Sequence, residues 1–168
     1  MEMKKTLITA VLIIAGIVIY KFAFRESPEQ KIQAELNLLT QEAVKPLTLA
    51  GIPKIAQINS LRKFFTDDLE VNAYDGRFSL KGKDELMKRL HLGFNYLKNF
   101  TLSFSDVNIT LNESSDEATV YLTALATGGG NEWNQAQELK MIFRLESGEW
   151  LIASAEAIAT LTLDSPTE

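Results

Sequence analysis

The chain has 168 residues, enough for one domain of ordinary size and a short appendage. Its net charge of −5 at neutral pH gives it none of the excess positive charge typical of nucleic-acid-binding proteins. It contains no cysteine, which excludes disulfides and thiolate metal sites.

The N-terminal segment 1–26 is predicted to be a membrane anchor. The span from about Thr6 to Phe24 is apolar except for Lys21, and as a helix it is about 28 Å long, close to the hydrocarbon thickness of about 30 Å. A cleaved signal peptide is the alternative, but cleavage after Ala23 would leave Lys21 where a small neutral residue is needed. Two lysines before the span favour a cytoplasmic N-terminus. We therefore expect a single-pass protein of the bacterial inner membrane whose C-terminal domain is periplasmic.

The first helix of the domain is predicted to start at Ser27-Pro28-Glu29-Gln30. Ser27 is a good N-cap, proline fits the first helical position, and Gln30 completes a capping box. Pro46 ends this helix near Lys45.

A second helix is predicted from Gly51 to the Asp67-Asp68 pair. Alternating residues then predict a short hairpin that turns at Asp75-Gly76. A third helix follows Gly82, and four residues at helical spacing define its buried face: Leu86, Leu90, Phe94 and Leu97.

The C-terminal third predicts four strands in an antiparallel meander. In the first strand, from Thr101 to Leu111, the apolar residues change rows near Ser105-Asp106, which predicts a β-bulge. In the last strand, uninterrupted alternation would place Glu156 on the same face as Trp150 and Ile152.

Three motifs follow one another at characteristic spacing: Phe64-Phe65-Thr66-Asp67-Asp68-Leu69-Glu70-Val71, Gly82 before a helix, and Gly148-Glu149-Trp150-Leu151-Ile152. Together with the order of the elements they resemble the nuclear transport factor 2-like superfamily, close to its SnoaL-like branch. The resemblance covers roughly residues 28 to 162. It implies a cone-shaped α+β domain over 27–163, with three helices packed on a curved antiparallel sheet and a tail at 164–168.

The resemblance also implies a pocket at the wide end of the cone. We expect it to be lined by six apolar or aromatic residues and two polar ones: Leu90, Phe94, Leu122, Met141, Phe143, Trp150, Tyr74 and Glu156. A mostly apolar cavity with few polar groups suits a small apolar ligand and requires no cofactor.

Catalytic residues of the family are not matched in this sequence. Ketosteroid isomerase, which the chain resembles in fold, needs an aspartate just after the Asp-Asp-x-x-Val motif, and Ala73 stands there. The first helix lacks the tyrosine of that enzyme, and His91 is the only histidine, whereas the dehydratases work with more than one. We therefore expect no catalytic residues and no metal site.

The outer face of the sheet is predicted to be unusually apolar, and such patches often mark partner sites. We expect a homodimer or a protein partner to contact five residues there: Thr119, Tyr121, Thr123, Leu125 and Ile142.

These observations favour a membrane-anchored domain without catalysis that binds a small apolar ligand or a protein partner in the bacterial envelope. Two alternatives stay open. One is a small cofactor-free enzyme of the isomerase or dehydratase type that uses Glu156. The other is a structural assembly subunit that resembles the periplasmic domain of type IV secretion inner-membrane components.

Overall fold

The computed structural model describes residues 26–44, 52–73, 76–93, 100–128 and 133–161. Within these ranges the chain forms three α-helices, one 3₁₀ turn and six β-strands. The helices are α1 (Pro28–Val44), α2 (Ile52–Leu61) and α3 (Lys83–Gly93), and the 3₁₀ turn is Arg62–Phe64. The strands are β1 (Phe65–Ala73), β2 (Phe78–Lys81), β3 (Thr101–Leu111), β4 (Glu117–Gly128), β5 (Trp133–Glu146) and β6 (Glu149–Leu161).

The six strands form one curved sheet in the order β2-β1-β6-β5-β4-β3. Strands β3 to β6 make the predicted antiparallel meander, and β1 and β2 make the predicted hairpin. β1 also pairs with β6, and this pairing is parallel. The expected antiparallel sheet is therefore a mixed one, because the last strand enters the sheet beside β1 and runs in the same direction.

The predicted capping box at the start of α1 is confirmed. The Ser27 backbone N–H donates to Gln30 Oε1 at 2.9 Å, and the Gln30 backbone N–H donates to Ser27 Oγ at 3.3 Å. These two bonds satisfy amide groups that have no partner inside the helix. α1 ends at Val44, one residue before the predicted end.

The predicted second helix is too long. α2 stops at Leu61, the 3₁₀ turn follows, and β1 begins at Phe65 rather than near Leu69. Phe65 lies four residues after Leu61 and so fits a helical stripe, but its backbone lies opposite Ile152 of β6. Pairing with a distant strand has overridden the local helical pattern.

The core lies between the helices and the inward face of the sheet, which we define as the face that contacts α1. The helix contributes one buried stripe: Ile32, Leu36, Leu39 and Ala43. On α3, Met87 is the buried residue, whereas Leu86 and Leu90 are half-buried. Phe94 and Leu97, the other two residues predicted for this face, lie outside the described ranges.

The predicted bulge in β3 is confirmed. The register between β3 and β4 shifts between Ser105 and Asn108, and Asp106 has a φ of 53°. As a result Phe104 and Ile109 both face inward although one number is even and the other odd.

No helix within the described ranges is long and apolar enough to cross a membrane. The predicted span 6–24 and the tail 164–168 lie outside those ranges.

Candidate functional site

Four residues predicted to line a pocket lie together in the hydrophobic core. Leu122, Met141, Phe143 and Trp150 are 3%, 6%, 1% and 3% exposed and belong to the same cluster as the buried stripe of α1. Leu90 is half-buried and packs against this cluster. These four buried side chains are therefore occupied in contacts within the core. Tyr74 and Phe94 lie outside the described ranges.

Glu156 faces the opposite side of the sheet from these four residues, so its predicted position is wrong. Phe143 lies opposite Ile152, but the preceding Ile142 lies opposite Ser154, which leaves Ala153 as an extra residue in β6. This bulge reverses the alternation. Beyond it Ala155 faces inward and Glu156 faces outward.

A second bulge follows in the same strand. Leu139 lies opposite Ala157 and Glu138 lies opposite Ala159, so Ile158 is the extra residue. Ile158 is 49% exposed, an unusually high exposure for a large apolar residue in a sheet.

A row of polar side chains crosses the outer face at the position of Glu156. Tyr121 of β4 lies opposite Lys140 of β5, Lys140 opposite Glu156, and Glu156 opposite Asn72 of β1. Side chains in register on neighbouring strands project from the same face about 5 Å apart. The row therefore presents a phenol, an ammonium, a carboxylate and an amide in line.

A cleft of about 500 Å³ lies along this row. It is located where β1 separates from β6, because Asn72 and Glu156 are the last residues that these two strands pair. The row supplies its polar lining, and the rest is Ala73, Gly76, Ala157 and Ile158. Ala73 occupies the position at which the resemblance to ketosteroid isomerase called for an aspartate.

The outer face around the cleft is partly apolar. Of the five residues predicted to contact a partner, Tyr121 is 45% exposed, whereas Thr119, Thr123, Leu125 and Ile142 are half-buried. Alanines of β6 would flank these residues on uninterrupted alternation, but Ala155 and Ala157 face inward and only Ala159 faces outward. Ile158 and Leu161, which were not predicted, add exposed apolar surface.

An ion-pair network on the sheet links β5 to β1 across the intervening strand β6. The Arg144 Nη1 atom lies 3.2 Å from carboxylate oxygens of both Asp68 and Glu146. Hydrogen bonds to Asp68 and to Glu146 raise the pKa of Arg144 above its ordinary value. Arg144 therefore stays charged and joins β5 to β1 beside the cleft.

His91 is exposed on α3 and lines a second groove, between α2 and α3. This groove has a volume of about 660 Å³ and a mainly apolar lining that includes Ile55, Met87 and Leu92. No group of three or more His, Cys, Asp or Glu residues in the described ranges could hold a metal ion.

Sequence reasoning missed Lys140, Asn72 and Ile158 as residues of the cleft. A signal for the outward position of Glu156 was present: Ser154 and Glu156 are polar residues on a row that begins with apolar ones. A polar pair of this kind indicates a change of phase, as it did in β3.

Comparison with solved structures shows the same fold in other proteins. A nuclear transport factor 2-like protein of unknown function from Pseudomonas aeruginosa superposes with a TM-score of 0.64 at 10% identity, over 79% of this chain and 99% of its own. This chain has the fold of the nuclear transport factor 2-like proteins.

Two further solved structures share this fold and are not named as nuclear transport factor 2-like proteins. A candidate scytalone dehydratase from Novosphingobium aromaticivorans matches with a TM-score of 0.60 at 16% identity, over 83% of this chain and 89% of its own. LinA matches with a TM-score of 0.59 at 18% identity, over 80% and 86%. No protein-family model and no curated protein sequence matches the chain. At such identities the likeness concerns the fold alone.

Proposed function

We propose that this protein is a membrane-anchored, non-catalytic binding domain that holds a protein partner against the outer face of its sheet in the bacterial envelope. The observation that carries the proposal is the cleft on that face, where Lys140 and Glu156 lie side by side between the exposed Tyr121 and Ile158. Exposed aromatic side chains are enriched at protein-binding surfaces, and charged groups beside them can fix the orientation of a partner through electrostatic complementarity.

The outer face is favoured over an apolar ligand site inside the sheet. Leu122, Met141, Phe143 and Trp150 are each less than a tenth exposed and pack into the core. A small apolar ligand would have to displace these contacts, whereas a partner at the outer face would cover side chains that are already exposed.

The enzyme alternative has less support. It relied on Glu156 as a base inside the cone, and the bulge at Ala153 turns Glu156 to the outside beside Lys140. General-base catalysis needs a base within hydrogen-bond reach of the reacting group. The dehydratase name belongs to a neighbour at 16% identity and does not carry this activity over.

The test uses the absence of cysteine from the whole chain. Tyr121→Cys in the full-length, membrane-embedded protein would be labelled with a membrane-impermeant benzophenone maleimide in spheroplasts and then irradiated. Lys88→Cys is the matched control, since its side chain is 74% exposed on α3. Labelling of both cysteines is expected if the domain is periplasmic.

We expect a protein adduct from position 121, none from position 88, and loss of the adduct when Lys140→Glu is added. An adduct of twice 18.8 kDa would identify the partner as a second copy. Equal adducts from both positions, or none from position 121, would refute the outer face as the binding surface. Failure of both cysteines to label would instead refute the periplasmic location.

A further inference from the structure

The two edges of the sheet differ in length and charge. β2, at one edge, has four residues and ends in Lys81, whose ammonium lies 2.7 Å from the Glu70 carboxylate. β3, at the other edge, has eleven residues, and Asp106 is its only charged one. Short strands, charges and bulges prevent an edge from pairing with another strand, and within the described residues β3 has these devices only at Asp106. The segment of β3 from Val107 to Leu111 is therefore the less protected edge.

The inward row of β3 is incompletely covered. On the neighbouring β4, Ala118, Val120 and Leu122 are at most 3% exposed. The five inward residues of β3 are all only half-buried: Leu102, Phe104, Val107, Ile109 and Leu111. Within the described ranges β4 is the one strand that pairs with β3, and α1 packs on its inward side. An added strand at this edge would cover apolar surface as well as pair backbone groups.

We propose that β3 of a second copy of this chain pairs antiparallel with this edge, about a two-fold axis at Ile109. In that register Asn108 lies opposite Thr110 of the second copy, and Val107 lies opposite Leu111. Inward residues then meet inward residues and outward residues meet outward ones, because the numbers of opposing residues sum to an even value. The segment from Val107 to Leu111 is self-complementary in this sense.

The same register keeps the charges apart. It places Asp106 opposite Asn112 of the second copy, so the two Asp106 carboxylates are about 20 Å apart at roughly 3.3 Å per residue. An axis at Asp106 itself would bring the carboxylates together at the bulge, where the ladder is already disrupted. A two-fold contact between identical edges is also closed, so it produces a dimer and not a fibre.

The dimer would have one continuous sheet of twelve strands, with the two outer faces side by side. The edge borders the cleft, since Asn108 lies opposite Tyr121 of β4, but the dimer pairs backbone groups of β3 that do not line the cleft. The proposal therefore does not depend on what binds in the cleft.

The test is disulfide crosslinking of full-length protein in membranes. Asn108→Cys and Thr110→Cys replace exposed side chains and would be co-expressed with different tags. Opposing Cα atoms of an antiparallel pair lie about 4.5–5.5 Å apart, within the range of about 4.4–6.8 Å that a disulfide spans. Ser103→Cys, exposed on the same strand beyond the bulge, is the matched control.

After oxidation we expect a heterodimer that carries both tags when Asn108→Cys and Thr110→Cys are mixed. Each variant alone should give little dimer, since a diagonal pair is about 7–8 Å apart. Absence of the heterodimer in protein with an unchanged circular dichroism spectrum would overturn the proposal. So would equal crosslinking of Ser103→Cys with either variant, which indicates random collision, or strong crosslinking of Asn108→Cys alone, which indicates another register.

Discussion

The bulge at Ala153 determines which of two adjacent residues, Ala155 or Glu156, faces the core, and this can be tested by mutation. Ala155 lies opposite Met141 on the inward face and packs against the core, whereas Glu156 lies opposite Lys140 on the outer face. Exchanging the two residues, Ala155→Glu with Glu156→Ala, keeps the composition and the net charge of the chain. It moves one carboxylate from the outer face to the core.

The expected cost follows from these surroundings. Ala155 is half-buried, so we apply to its new carboxylate the cost of an unpartnered polar group, about 1–3 kcal/mol in mutational data, and not that of a fully buried charge. The side chain opposite, Met141, offers no hydrogen-bond donor. Glu156→Ala alone changes an exposed residue, so we expect a change in the free energy of unfolding within about 0.5 kcal/mol. For a domain of this size 1 kcal/mol shifts Tm by about 4 °C, so the exchange should lower Tm by about 4–12 °C.

The assay is thermal unfolding of the full-length protein in mild detergent, with circular dichroism as the signal from which Tm is measured. If alternation continued unbroken from Trp150, the results would be reversed: Glu156→Ala would alter the core and the exchange would relieve a buried carboxylate. An exchange variant as stable as the wild type would therefore refute the bulge and the outward position of Glu156.

Three other changes have defined outcomes. Ser27→Ala removes the N-cap of α1 and should lower the free energy of unfolding by about 1 kcal/mol in a urea titration; no change would contradict the cap. Burial and, second, the nearby Glu149 raise the pKa of Glu35, so the stability that its protonated form contributes is present at acidic pH and is lost as pH rises through the folded-state pKa. Glu35→Gln should therefore raise Tm more at neutral than at acidic pH. An equal shift of Tm at the two pH values would show that the pKa of Glu35 is not raised in the folded protein. Gly148→Ala, at a φ of 92°, should cost about 1–2 kcal/mol in the same titration, whereas Gly93→Ala, where no positive φ occurs, should be neutral or stabilising; equal effects would contradict the turn geometry.

The bulges of β3 and β6 show when the sequence reveals a change of face. In β3 the apolar residues are large, so their move from even to odd positions at Asp106 is visible in the sequence. In β6 the residues from Ala153 to Ala157 alternate between alanine and polar residues, and alanine is found on both faces of sheets. The identity of Ala153 therefore does not reveal the bulge, and only the polar Ser154 and Glu156 indicate that the strand changes face there.

Contacts between segments distant in sequence could not be predicted from local sequence patterns. The hairpin, the meander and the cap of α1 are each set by residues close in sequence, and these were predicted. The parallel pairing of β1 with β6 joins Val71 to Ala155, 84 positions away (155 − 71), and no local signal encodes it. Lys140 and Asn72 join one cleft only through this pairing, so the site could not be assembled from the sequence.

The place of β6 in the sheet also determines when the chain can fold during synthesis. β6, the last of the six described strands in chain order, lies between β1 and β5, so it is an interior strand of the sheet. Until it arrives, the β1–β2 hairpin has no link to the meander, and the apolar stripe of α1 lacks the part of the sheet that contains Trp150 and Ile152. The described sheet can therefore be completed only after β6 has been synthesised, and until then apolar surface of the earlier elements stays exposed. A premature stop before Glu149 removes this interior strand, so the β1–β2 hairpin loses its backbone pairing to the rest of the sheet.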